Sequence, residues 1–560
     1  MSSDMLIRGK NTSCEKRPFS YLLSDSFFNN PYIYYLAWIT YVFSILLFLK
    51  INGNILIDTI TDADRMYLPT LFRDLFILGG HFSGWKVGGA PYFFPDMLLV
   101  FLFYGLFDNV IICFLLVGFL YLIILCVLWL KIGKYFVSSE IYGCFRLFVL
   151  FSLSIVLNSS TGFSFIQPHY AFLHFSNVLG FTLIMYLLLL IIDDKRSKNT
   201  KSLCVFFIIV ISFLYSMSDA YFIVQVVLPI TCVLFIYVAA FDRGALLFVK
   251  LGILLLFASS CGFYTYYSFE HYASIKIYWH PSLAQRDIIN SLKIEYSWLR
   301  YFISEHKYHF TGCALSISLM VCCIIQKRLR NIPLLLLSLS IIASIIITVA
   351  FTTIAGSFID NNSKRFLFPV TILPIYSFFI FLFLFLNKHK KTVKIITGLI
   401  VIIAIIRTMT AVDCDLLNSI KSTIGYYPDD IRCVEEYAKE KKYRYGMASY
   451  WNSKPLFILS KSHLILNQVL PTLVPRHWSN NIEWYLKYPA DYIITNENDD
   501  KINQISEKRL LIMAGYPSIM KKCGKYSVYE IKKDEAYKYN KSINNAVKQY
   551  IEIQNEQLEQ

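Results

Sequence analysis

From about residue 32 to residue 411 the apolar residues fall in long blocks separated by short polar stretches; beyond 412 the pattern breaks into strand- and helix-sized runs. A membrane-crossing helix needs about 20 apolar residues. Blocks near 32–52, 110–130, 142–158, 171–192, 202–216, 220–240, 245–263, 309–325, 332–352, 367–387 and 393–411 predict about 11 crossings. The run Asp96–Phe107 is apolar but too short to cross. It predicts a helix lying at the membrane surface or re-entering it, with a twelfth, tilted crossing as the alternative. The expected fold is therefore an α-helical polytopic membrane protein with a small C-terminal extracytoplasmic α/β domain.

The polar stretches define the other parts. Residues 1–31 form a polar segment that does not read as a secretory leader. Two long loops are expected at 53–109 and 264–308, and a short one at 353–366. Residues 412–535 read as the α/β domain, with strands at Tyr445–Tyr450, His463–Val469, Asp491–Thr495 and Lys525–Ile531. Helices are expected near 430–441 and 501–511, and 536–560 as a solvated helix or frayed tail.

Lys and Arg set the orientation. With residues 1–31 in the cytoplasm, the basic positions Lys131, Lys134, Lys195, Arg196, Lys198, Lys201, Lys327, Arg328, Arg330, Lys388, Lys390, Lys391 and Lys394 share that side. The loops 159–170 and 217–219, on the opposite side, carry no Lys or Arg. A twelfth crossing at 96–107 would scramble this sorting. The expectation is a multi-pass membrane protein with residues after 412 outside the cytoplasm.

Composition agrees. The chain is 56% apolar and 16% charged, with mean hydropathy +0.50; soluble domains run about 45–50% and about 25%. A single soluble domain, a disordered chain and a disulfide-stapled module are excluded. The net charge of +15 is first a topology signal and second a hint of an anionic partner. Most of the 13 cysteines lie in apolar blocks, and no zinc-type spacing occurs. Cys414, Cys433 and Cys523 fall in the polar C-terminal part, where one pair could be bridged in an oxidising compartment.

Candidate chemistry collects at the outer ends of the blocks. The first outer loop opens with Asp62-Ala-Asp64-Arg65, a carboxylate pair able to act as general base or bind a cation, or to form only a solvated turn. Trp85, Pro91, Tyr92 and Pro95 crowd the same loop. His169 follows in 159–170, where a structural hydrogen-bonding role is the simpler reading. Asp219 and Tyr221 lie in the next loop; an ionisable group at that depth is a functional candidate, and helix capping is its rival. Lys364 and Arg365 break the charge sorting, which binding of an anionic lipid phosphate or interfacial snorkelling would each explain.

This arrangement resembles the GT-C superfamily of integral-membrane glycosyltransferases. The segment from Asp62-Ala-Asp64 to Arg73-Asp74 is similar to that group's acidic first-loop motif, and Pro91-Tyr92-Phe-Phe-Pro95-Asp96 is similar to a segment of bacterial relatives encoded with surface-polysaccharide genes. The topology match covers roughly residues 30–411. The resemblance implies transfer of a sugar from a polyprenyl-phosphate donor to a hydroxyl of a cell-surface glycan or lipid-linked acceptor, with inversion. Membrane lipid is a partner and nucleic acid is not. Asp62 or Asp64 would be the base, and Arg365, helped by Lys364 or Arg65, would neutralise the leaving phosphate. Trp85 and Tyr92 would stack on sugars, with His169, Asp219 and Tyr221 as further substrate contacts. Some relatives hold a divalent cation such as Mg or Mn on the acidic motif. A polysaccharide polymerase would concentrate its signal in Arg-rich outer loops, and a lipid-linked-glycan transporter would carry charges within its spans.

Overall fold

The computed structural model describes residues 24–88, 90–158, 174–240, 246–272, 285–325, 332–358, 361–412, 415–500, 503–514 and 520–559. Among them are ten helices long and apolar enough to cross a membrane, and these coincide with ten of the eleven apolar blocks. The remaining block is helical over Ile223–Ala239, a shorter run. It opens with a π-helical stretch, Ile223–Val227, and the preceding helix Lys198–Ser218 ends at Asp219, whose backbone is extended.

The first helix begins with Asn30, whose side chain accepts from the Tyr32 amide, and with Pro31 in the first turn. It continues to Ile60, well past the expected span. At about 1.5 Å per residue the stretch beyond Phe48 adds about 18 Å. The helix Leu416–Ile424 packs on this extension at Gly53, where a Cβ would lie 2.9 Å from Thr423 Oγ1.

The expected loop 264–308 is mostly helical where it is described. One helix runs Leu246–Tyr272 and a second Gln285–Glu305. In the second, charged residues mask a helical apolar period: Trp298 and Phe302 pack against Phe358 and Leu367.

Two ends of the bundle are chemically distinct. At one, Lys394 pairs with Asp25 at 2.6 Å, Lys390 pairs with Glu140, Ser138 bonds Asn387 at 3.0 Å, and Arg196 lies against Tyr135. Basic segments gather there, while Asp62, Asp219 and Arg365 sit together at the other (below). The run Phe93–Phe107 is a short helix whose Leu98, Leu102 and Leu106 are exposed on one face. Its other face packs on the helix Tyr67–Phe76 through Phe72, Phe101 and Tyr104.

The C-terminal part carries a five-stranded sheet: β1 Tyr445–Ser449, β2 Ile465–Val469, β3 Tyr492–Asn496, β4 Met520–Cys523 and β5 Tyr526–Glu530. The order is β2-β1-β3-β5-β4, with β1 parallel to β2 and β3, and β5 antiparallel to β3 and β4. Four strands fall where the apolar-rich runs put them; β4 is the added hairpin partner. Helices Asp429–Lys441 and Glu507–Ala514 flank the sheet, and a disulfide joins Cys433 to Cys523. The expected polar tail belongs to a helix, Lys533–Glu559, whose Val547 packs on Ile482 and Tyr485.

This domain is seated on the membrane part by one buried carboxylate. Asp74 accepts from Trp85 Nε1 at 2.6 Å, Trp484 Nε1 at 2.6 Å and Asn481 Nδ2 at 2.8 Å. The two-residue strands Trp85–Lys86 and Asn480–Asn481 pair beside it. Arg73 bonds Asp108 at 3.1 Å and also contacts His463 and the Phe457 ring.

Candidate active site

Asp62 and Asp64 occupy the turn between the first helix and Tyr67–Phe76. The Asp62 carboxylate accepts the Asp64 amide at 2.7 Å, and the Asp62 carbonyl accepts the amides of Arg65 and Met66 at 3.1 and 3.0 Å. These bonds fix the turn locally, as Asp side chains commonly do. Asp64 lies before the helix begins, so it shares no helical face with Tyr67.

Each carboxylate has its own guanidinium. Arg65 Nη1 is 3.7 Å from Asp62 Oδ2, and Arg365 Nη1 donates to Asp64 Oδ2 at 3.1 Å. The second Asp64 oxygen accepts the Tyr450 hydroxyl. The two Asp side chains remain 23% and 26% exposed, so a ligand can reach them. Their environments drive them apart. Burial pushes the Asp62 carboxyl up, aided by the charge of Asp64 and opposed by Arg65. Burial also acts on Asp64, but Arg365, the Tyr450 hydroxyl and Lys454 outweigh it and hold that carboxyl below its ordinary value.

Three of these neighbours come from the C-terminal domain and were not found in the sequence. Tyr450 opens the helix Tyr450–Leu459 directly after β1. Lys454 is one turn on, 3% exposed, with Nζ 4.1 Å from the Tyr450 ring centre. The Arg476 guanidinium lies 4.8 Å from the same centre. Burial pushes the Lys454 amine down to about 7, with Asp64 pulling it up and Arg476 pushing it down. The one local signal was a lone Lys in the run Ser453-Lys454-Pro455-Leu456-Phe457-Ile458, flanked on one side by apolar residues.

A second polar group adjoins the first. Asp219 Oδ2 accepts His174 Nδ1 at 2.5 Å and Asn177 Nδ2 at 2.7 Å, while its Oδ1 accepts the Tyr221 amide at 2.9 Å. Asp219 thus caps the start of the next helix through Oδ1, while two buried side chains engage its Oδ2. On the other side of the His174 ring, the Tyr92 hydroxyl lies 3.4 Å from Nε2. Tyr92 also feels the charges of Arg365 and Asp64. Tyr221 stacks on Phe366, ring centres 4.5 Å apart, next to Arg365. Ala220, Tyr221, Ile223, Val224, Phe263 and Phe351 line an adjoining apolar cavity of about 150 Å³.

The remaining candidates separate from this group. Trp85 is fully buried, packs on Tyr67 and gives its indole N–H to Asp74, so its ring is not presented to a sugar. Lys364 lies toward His306, an imidazole that burial and Lys364 both hold below its ordinary value. His169 lies outside the described residues. Asp96 is buried, accepting from Tyr121 at 2.8 Å and Ser176 at 2.9 Å. A resident divalent cation does not fit the acidic motif as it stands. Both Asp64 oxygens are engaged, one by a guanidinium, and no group of three or more His, Cys, Asp or Glu occurs among the described residues.

No family model matches the chain, and no curated protein and no solved structure matches it.

Proposed function

We propose that the chain is a membrane glycosyltransferase of the GT-C type, moving a sugar from a polyprenyl-phosphate donor to a hydroxyl of a cell-surface glycan or lipid-linked acceptor. The observation that carries this reading is the Asp64–Arg365 pair beside Asp62 at the end of the bundle away from the basic segments. Arg365 gives one Nη1–H to Asp64, and its buried Nε has no hydrogen-bond partner among the described residues. A phosphate can take that edge of the fork. The apolar cavity beside Tyr221 suits the first isoprene units of the donor.

In the reaction the acceptor oxygen attacks the anomeric carbon as the bond to the phosphate oxygen breaks. Asp62 takes the acceptor proton; its raised pKa makes it the better proton acceptor of the two. Arg365 neutralises the phosphate as its charge grows. Asp64 holds Arg365 and Tyr450 in place. With a single displacement and no covalent intermediate, the anomeric configuration inverts.

The topology that goes with this has 11 crossings, Ile223–Ala239 included, in a bacterial inner membrane, with the C-terminal domain outside the cytoplasm. Purified protein in lipid nanodiscs, given radiolabelled polyprenyl-phosphate sugars and a panel of glycan and lipid acceptors, should transfer label to an acceptor. Release or transport of donor without a new glycosidic bond would sink the reading.

A further inference from the structure

Asp62 and Asp64 each have one Arg partner, Arg65 and Arg365. Two more cations then face the same site from the C-terminal domain without a carboxylate of their own. Lys454 Nζ is buried and has no hydrogen-bond partner among the described residues, and Arg476 makes no ion pair among them. Both lie against the Tyr450 ring, whose hydroxyl is bound to Asp64. Nearby, Gln468 is 2% exposed and its Oε1 also lacks a partner.

A buried ammonium without an acceptor is costly. Burial pushes the Lys454 amine down to about 7, and Arg476 adds to that push. An oxyanion arriving between the two would supply the missing acceptors and favour the charged amine. Arg476 is half-buried and so remains reachable.

We infer that Lys454 and Arg476 form a second oxyanion subsite, separate from Arg365, which holds a further phosphate-type group of a substrate. This rests on the lipid-phosphate reading of Arg365. The group has two chemical sources: the second phosphate of a prenyl diphosphate donor, or an acidic substituent on the acceptor. In either case the C-terminal domain takes part in substrate selection and does not merely cover the site.

The test is binding to the full-length protein in nanodiscs, with farnesyl phosphate, farnesyl diphosphate and inorganic phosphate as probes. If the donor is the source, farnesyl diphosphate binds wild type at least about 10-fold more tightly than farnesyl phosphate. That advantage falls below about 2-fold in Lys454→Met and in Arg476→Gln. If the acceptor is the source, inorganic phosphate binds alongside saturating farnesyl phosphate in wild type and is lost in both variants. Arg476→Gln alters a half-buried side chain, so it decides the matter even where Lys454→Met fails to fold. Equal binding of all three probes by wild type and Arg476→Gln overturns the subsite. Failure of farnesyl phosphate to bind wild type refutes the lipid-phosphate reading instead. Loss of inorganic phosphate binding in Arg476→Gln still decides the subsite in that event.

Discussion

Arg365 donates to Asp64 at 3.1 Å across 301 positions of sequence. The pair joins the turn after the first crossing helix to the short 3-10 turn Asn361–Leu367 before one of the last crossing helices. Arg365→Ala should lower turnover by about 100-fold or more, since it removes the positive charge facing the leaving phosphate. Arg365→Lys keeps the charge without the planar fork and should fall between. A snorkelling anchor predicts full activity for Lys at matched protein levels, and steady-state rates separate the two.

Asp62 and Asp64 should respond differently. Asp62→Asn removes the proposed base and should cost about 100-fold or more in turnover with little change in melting temperature. Asp64→Asn loses the partner of both Arg365 and Tyr450, so it should lower activity and thermal stability together. Full activity in Asp62→Asn would move the base elsewhere, with His174 the next group to examine.

Asp74 should be the most sensitive docking residue. It is 1% exposed and accepts three N–H donors. Asp74→Asn leaves one acceptor oxygen for them and should destabilise the domain junction by about 3 kcal/mol or more. Limited proteolysis should then release the C-terminal domain. An unchanged digestion pattern would argue against this seat.

Lys454 gives a pH signature in stability. Its amine is held near 7 when folded, against an ordinary Lys value of 10.5. The unfolded chain therefore binds one more proton between those limits, and stability rises with pH across that window. The charged groups facing it are Asp62, Asp64 and Arg476, beside the Tyr450 hydroxyl. The melting-temperature gain of Lys454→Met over wild type should be greatest near pH 6–7 and shrink towards pH 10. A gain that does not vary with pH would mean the amine is not buried in solution.

The Cys433–Cys523 bridge tests placement. Disulfides persist in oxidising compartments. The bridge closes a loop of 90 positions, and its loss should cost about 4–5 kcal/mol. Protein drawn from the native membrane under thiol-blocking conditions should carry the bridge. Two free thiols at these positions would place the domain in the cytoplasm.

The apolar blocks were plain in the sequence because lipid demands length and composition, both readable one residue at a time. Ten of them are long apolar helices. The apolar-rich strands of the C-terminal domain were legible for the same local reason. Asp62, Asp64 and Arg365 stood out because charge at the outer ends of spans is conspicuous. Tyr450, Lys454 and Arg476 did not, since they look like ordinary residues of a soluble domain until Asp74 seats that domain on the first loop. Trp85 shows the opposite error. An aromatic residue in a Gly- and Pro-rich loop suggested a sugar platform, while its N–H was committed to a buried carboxylate 11 positions earlier. Pairings over hundreds of positions leave no periodic trace.

That seat also sets an order of assembly. The Asp62–Asp64 turn leaves the ribosome long before Tyr450, Lys454, Trp484 and Asn481. Until those residues arrive, Asp74 lacks two of its three donors and Asp64 lacks its hydroxyl partner. A nascent chain can insert every crossing helix and still hold an unfinished site. A chain cut short before β1 would hold its crossing helices with the Asp62–Asp64 turn and Asp74 still short of these partners.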